Sequence, residues 1–453
     1  MTTPPHRRRL LTVWDLIFYG IVLIEPIAPV PLYGVAEKLS NGHFVTTILI
    51  AMFAMMATAF SYGRMAALYP AAGSAYTYVG KGLNPYLGFL AGWAMFLDYL
   101  LIPLIQIVWI ATAIHSRYLA HVPYVVIAAL VAGLMTFMNL RGIKTSARAN
   151  KTLLAFMSLV IGAFIVLAVR HLFRWQGWDG LFSTKPFYNP KTFDFHTIRT
   201  ATSFAALTYI GFDGVTTLAE DVENPKRNVL IATVAVCVFT GLFGGLEAYL
   251  AQRVWPDWHT FRNLETAFMD VCQRAGGMVL FQAMGAVLLV AAFGSGLNGH
   301  LGAAKLLFGM GRDNVLPRTI FAYLDERNTP TINLWIISLV AFSGALALDF
   351  EKSGELINFG AFLAFMGVNA ATFWQFMVVG QEGRKRKLLA DAVIPTIGFL
   401  FCAWIWWGLE SSAKIVGGAW FVLGLICLAW ITRGFRTTPT TIELLEIQAE
   451  NPQ

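Results

Sequence analysis

Charge is scarce in this chain. Only 13% of its residues are Asp, Glu, Lys or Arg, about half the share of an ordinary soluble domain. With 57% hydrophobic residues and a mean hydropathy of +0.61, that shortage excludes a water-soluble globule. Cysteine is scarce too. Cys237, Cys272, Cys402 and Cys427 show neither metal spacing nor a paired framework. Cys237, Cys402 and Cys427 fall in apolar stretches and read as small core hydrophobes. No His-Glu-x-x-His, nucleophile set or phosphate-binding loop is present, which argues against an intramembrane enzyme and against direct ATP use. Neither a cofactor nor a metal is expected. No stretch reads as a soluble domain of independent size. The first apolar segment is too long and too charged for a cleaved signal peptide.

What the chain has instead is apolar length. Twelve apolar segments fall roughly at 12–34, 44–67, 86–112, 122–140, 152–170, 198–219, 228–252, 278–310, 331–349, 355–379, 390–409 and 414–432. Most approach the ~20 residues needed to cross a bilayer as a helix. The net charge of +7 is therefore no sign of a nucleic-acid partner. Basic residues in a membrane protein gather in cytoplasmic loops. With the N-terminus inside, the dense clusters HRRR (6–9), RGIKTSARANK (141–151) and RKRK (384–387) all fall on the cytoplasmic side. An even span count then puts both termini there. The longest connections, about 171–197 and 253–277, fall outside and carry interfacial tryptophans. A cytoplasmic tail at 1–11, spans 12–379 and 390–432, and a polar cytoplasmic tail at 433–453 complete the expected organisation.

Two segments are broken. The first carries EPIAPVP, with Pro26, Pro29 and Pro31 beside Glu25; the sixth carries YIGFDG, with Asp213 between two glycines. These open spans 1–5 and spans 6–10, and they run in opposite directions. Interrupted helices at matching positions of two halves point to an inverted-repeat transporter with its site near the midplane. Unwound backbone is tolerated there only if it lines a cavity or is buried in protein. One proline would mean a kink and no more; three within six residues mean a break. Glu25 could instead pair with a polar neighbour, Asp213 could cap a helix start, and Asp98 could bond a neighbouring helix. Intramembrane carboxylates nonetheless mark function by default. A channel would show a selectivity ring without paired breaks. A substrate sensor would carry long soluble extensions.

Four ordered motifs carry a resemblance. YPAAGSAYTYVGKGLNPYLGFLAGW (69–93), GFDGVTTLAEDVENPKRN (211–228), GHLGAAKLLFGMGRDNVLP (299–317) and LINFGAFLAFMGVN (356–369) resemble the signatures of the amino acid–polyamine–organocation transporter superfamily. Within it the strings GSAYTY, LDY, GFDG and MGRD-x-V-x-P are most similar to the bacterial putrescine importers. The resemblance spans about residues 10–435. It implies an all-α, leucine-transporter-like core of five plus five helices with two appended spans, in the bacterial inner membrane. By position it places substrate contacts at Glu25, Pro26, Ile27, Ala28 and Pro29 on span 1, and at Asp98 and Tyr99 on span 3. It also places them at Leu207, Tyr209, Phe212, Asp213 and Gly214 on span 6, and at Ser295 and Asn298 on span 8.

The departures from the family are informative. Amino acid members carry Gly-Ser/Ala-Gly at the first break, whose amides receive a carboxylate. Proline has no N–H, so EPIAPVP keeps only the amides of Ile27, Ala28 and Val30 nearby. The importers usually show glutamine at the place of Glu25 and aspartate at that of Pro31. Carboxylates beside aromatic faces suit an organic cation. An amine or polyamine is the first expectation, with an amino acid permease or an amino acid/amine exchanger as the alternative. Sodium coupling would want hydroxyls on span 8, which offers Ser295 alone. A carboxyl in apolar surroundings can hold a proton in one conformation and release it in another, so Glu25 or Asp213 is the expected proton carrier. Lys305 lies within two turns of Arg312 and reads as structural.

Overall fold

Helix dominates because the chain must bond its own backbone where lipid offers no partner. The computed structural model describes residues 11–69, 74–142, 147–219, 222–312, 316–326, 329–380 and 383–439. The cluster 6–9, part of 141–151 and the tail from 440 lie outside the described residues. Among the described residues there is no strand, only an isolated bridge between Leu11 and Val222.

Eight stretches are long and apolar enough to cross a bilayer: Phe44–Leu68, Pro85–Arg117, Thr152–Gly180, Pro225–Val254, Leu264–Arg312, Phe350–Val379, Leu389–Gly408 and Ser411–Ile431. The chain is a multi-pass membrane protein. Twelve spans are expected from the sequence. The difference lies at Val13–Ile24, Tyr124–Leu140 and Thr331–Ala347, which are shorter apolar helices, and at 198–219, which is not one helix. Pro123 and Pro330 fix the starts of the last two short helices.

The helices are α1 Val13–Ile24, α2 Tyr33–Leu39, α3 Phe44–Leu68, α4 Ser74–Gly82, α5 Pro85–Arg117, α6 Tyr124–Leu140 and α7 Ala147–Gln176. They continue with α8 Phe195–Ala205, α9 Pro225–Val254, α10 Ala267–Arg312, α11 Arg318–Phe321, α12 Thr331–Ala347, α13 Phe350–Phe373, α14 Ile394–Gly408 and α15 Ser411–Ile431. Local chemistry sets their starts. Thr12 and Asp15 form a reciprocal capping box on α1. Asn84 caps α5 ahead of Pro85, and Asp194 and Asp349 accept amide hydrogens at the starts of α8 and α13.

The expected outer connection at 253–277 is largely helical. Asn263 accepts from Thr266 N, and α10 begins at Ala267, kinking at Gly277, whose φ is 75°.

Both expected breaks are present. α1 stops at Glu25, and the chain turns through 26–32 before α2 resumes. Pro26, Pro29 and Pro31 cannot donate to the preceding turn, so α-helical bonding cannot continue. Tight i→i−3 bonds replace it: Ala28 N donates to Glu25 O at 3.1 Å and Val30 N to Ile27 O at 3.0 Å. In the other segment, α8 tightens into a 3₁₀ turn at Ala206–Tyr209, then breaks at Gly211 with φ 109°. A second 3₁₀ turn, Phe212–Leu218, follows.

The two breaks touch. A Cβ at Gly211 would lie 3.7 Å from the Leu23 carbonyl oxygen, and one at Gly214 would lie 2.7 Å from Leu23 Cδ1. Around them α3 runs along α9, and α5 packs on α10 and α13. Small residues make the close approaches, with Gly63 against Leu230 and Gly241 against Met52.

Candidate functional site

A cavity of about 460 Å³ lies where the two breaks meet α5 and α10. Glu25, Ile27, Ala28 and Pro31 line it from the first break. Leu207, Gly211, Asp213 and Gly214 line it from the second, Asp98, Tyr99 and Gln106 from α5, and Ser295 and Lys305 from α10.

Glu25 closes α1 at φ 68°, ψ 132°. A non-glycine residue in that region is held against a steric cost of about 1–3 kcal/mol, and such strain clusters at functional sites. Asp98 is 5% exposed, and its Oδ1 has no hydrogen-bond partner among the described residues. Buried polar atoms are normally paired, so an unpaired oxygen on the cavity wall is an open coordination position. Asp213 acts electrostatically on Asp98, on Tyr99 and on Tyr78. Carboxyls that act on one another are stabilised as ions when a cation sits between them. The Tyr99 ring lies over Gly302, 3.5 Å from where a Cβ there would stand. At 43% exposure, it presents an aromatic face that a cation can use. The Ser295 hydroxyl accepts from Gln106 Nε2 at 3.3 Å.

Other expected site residues sit elsewhere. Tyr209 is fully buried and donates its hydroxyl to Ile48 O at 2.7 Å. Phe212 is fully buried in an aromatic cluster, edge-on to Tyr62 and tilted against Phe365, at 5.4 and 5.3 Å between ring centres. That cluster fixes the second break to α3 and α13. Pro26 and Pro29 turn away from the cavity toward α9 and border a void of about 10 Å³ with Thr240 and Gly244. Asn298 is exposed and outside the cavity lining. The amides of Ala28 and Val30 are already engaged within the break, so the anion-receiving capacity there is lower than the sequence suggested.

Lys305, which reads from the sequence as structural, lines the cavity. The rule that intramembrane charges mark function is the sequence signal that points to it. Gln106 was also missed. It lies two turns after Tyr99 on the same face of α5, a spacing readable from helical period. Among the described residues no group of three or more His, Cys, Asp or Glu is placed to hold a metal.

Broken helices around a largely apolar cavity that carries a few charged side chains, in a multi-pass membrane protein, define the class of carriers that bind a small solute between two half-helices. The chain belongs to the amino acid permease family, whose model matches residues 30–433. It is 31% identical to the low-affinity putrescine importer PlaP of Escherichia coli, over 96% of both chains. It is 25% identical to the branched-chain amino acid permease BcaP of Lactococcus lactis, covering 93% of this chain and 94% of that one. It is 24% identical to the methylthioribose transporter of Bacillus subtilis over 92% of both.

Proposed function

We propose that this protein imports a small organic amine, of the putrescine kind, coupled to protons. Three cavity carboxylates, Glu25, Asp98 and Asp213, face one ammonium, Lys305. Acidic groups on the wall outnumber basic ones, a balance that suits a substrate carrying ammonium groups. The observation that carries the reading is the unpaired Asp98 oxygen on the cavity wall, beside the Tyr99 face. The proline-built break supports it by withholding the amides a substrate carboxylate needs. The relative named as a putrescine importer supports it further.

In this reading residues 12–379 form two inverted halves of five helices, and 390–432 add two accessory spans. The protein sits in the bacterial inner membrane with both termini in the cytoplasm. The breaks rock against the scaffold, opening the cavity to each side in turn. Substrate favours closure by binding the closed form better than the open ones. Glu25 and Asp213, expected from the sequence as proton carriers, here hold the substrate's ammonium groups, and the proton rides on an acid whose exposure changes with that motion.

One observation favours a second reading. Lys305 in the cavity could receive a carboxylate, as an amino acid substrate would require, and one relative is named as a branched-chain amino acid permease. Uptake into proteoliposomes by the purified full-length protein separates the two. Putrescine accumulating under an inside-alkaline pH gradient supports the first. Leucine accumulating while putrescine does not supports the second. Uptake that needs counter-substrate inside and ignores the pH gradient makes the protein an exchanger.

A further inference from the structure

Cationic substrate and proton pose a problem for one another. If both use Glu25 or Asp213, each displaces the other, and the carrier exchanges them instead of moving them together. Proton-coupled import needs an acid that the substrate does not touch.

Glu247 is such an acid. It lies on α9, one turn beyond Gly244 on the same face. Gly244 meets the first break directly: a Cβ there would stand 3.1 Å from Pro29 Cγ. Glu247 is 0% exposed, and neither carboxylate oxygen has a hydrogen-bond partner among the described residues. It is absent from the cavity lining. An ionised carboxylate placed this way would bear its full desolvation cost with nothing to offset it. The neutral acid bears far less.

Among the described residues, the titratable groups on the elements packed against α9 offer it no compensating cation, and Arg117 of α5 is taken by Asp270 of α10. Cys272 of α10 faces it. Glu37 and Tyr33 of α2 are buried, each with an unpartnered oxygen. A Cβ at Gly42 would lie 3.8 Å from a Glu37 oxygen and 3.3 Å from Gln252 Nε2, near the outer end of α9. His43, just before α3, is held by Ser40 and Asn189. On α7, His171 lies beside Trp175 and Arg274, and Arg253 of α9 is held by Gln176 and Gly180. From the second break Asp213 acts on Cys237, further in along α9. Glu25 borders the small void with Thr240 and Gly244, on the same side of α9.

We propose that Glu247 is the proton-binding site of the transport cycle, loaded in this conformation and emptied when the first break moves off α9. Separation of Pro29 from Gly244 admits water; the acid O–H bond breaks, the proton passes to water, and the carboxylate is left solvated. The inference rests on the proton-coupled reading and assigns its proton to a residue apart from the substrate.

The test uses the full-length protein in proteoliposomes with radiolabelled putrescine. Glu247→Gln, which mimics the neutral acid, keeps putrescine exchange but loses accumulation driven by a pH gradient. Accumulation at the wild-type level overturns the proposal. Loss of exchange together with accumulation also overturns it, because Glu247 is then holding the structure. Infrared difference spectra give an independent readout. A protonated-carboxyl band at neutral pH, present in the wild type and missing in Glu247→Gln, is expected; its absence from the wild type overturns the assignment. A wild-type protein indifferent to the pH gradient removes the proton-coupled reading itself, and this role of Glu247 falls with it.

Discussion

The two breaks reach the same end by opposite chemistry. The first is made of prolines, which remove donors and lock φ. The second is made of glycines, which permit a φ no other residue holds cheaply. The first places a carboxylate, Glu25, at φ 68°, where glycine would be the easy choice. The second gives its positive φ to Gly211 and sets Asp213 two residues later. The first break is thus stiff, donor-poor and strained at its carboxylate residue. The second is compliant and packs its neighbour Phe212 into an aromatic clamp. Strain kept at Glu25 where glycine would relieve it points to the side chain as the reason.

The comparison can be pressed hardest at the acids. Asp98→Asn and Asp213→Asn should each lower kcat/KM for putrescine by at least about 30-fold, since losing one partner of a desolvated charge pair costs about 2–5 kcal/mol. Uptake kinetics in proteoliposomes check this. Gly211→Ala attacks the second break alone. A side chain at φ 109° beside the Leu23 carbonyl should cost at least about 1–2 kcal/mol and reduce transport about tenfold or more. The opposite-sense change in the first break, Ala28→Gly, should be mild. If the two behave alike, the breaks do not differ as described.

Tyr99→Ala should raise the putrescine KM about fivefold while Tyr99→Phe stays near wild type, as loss of a cation–π face of about 1 kcal/mol requires. The smallest effect is the most diagnostic. Glu25→Gly should raise thermal stability slightly, by about 1 kcal/mol or less, while abolishing accumulation. A Glu25→Gly protein less stable than wild type would remove strain from the account.

The sequence made the breaks legible because Pro and Gly act through local backbone chemistry. EPIAPVP and YIGFDG announce themselves without a partner. It made the acids legible because charge in an apolar run is conspicuous. Side-chain direction was not legible. Tyr209 and Phe212 sit in the second break and point into packing, because 3₁₀ turns rotate successive side chains by about 120° and no helical wheel applies. Glu247 was passed over because it lies in an unbroken helix, and only packing shows that neither of its oxygens is paired. The lengths of α6 and α12 follow the apolar segments closely, because Pro123 and Pro330 sit at the starts of both.

The central claim is that the cavity between the breaks is a site for an organic cation. Competition against radiolabelled putrescine uptake by the wild-type protein in proteoliposomes tests it most directly. The account predicts saturable uptake, inhibited by other diamines and unaffected by leucine in the same concentration range. Absence of putrescine uptake, or inhibition by leucine as strong as by a diamine, would contradict it.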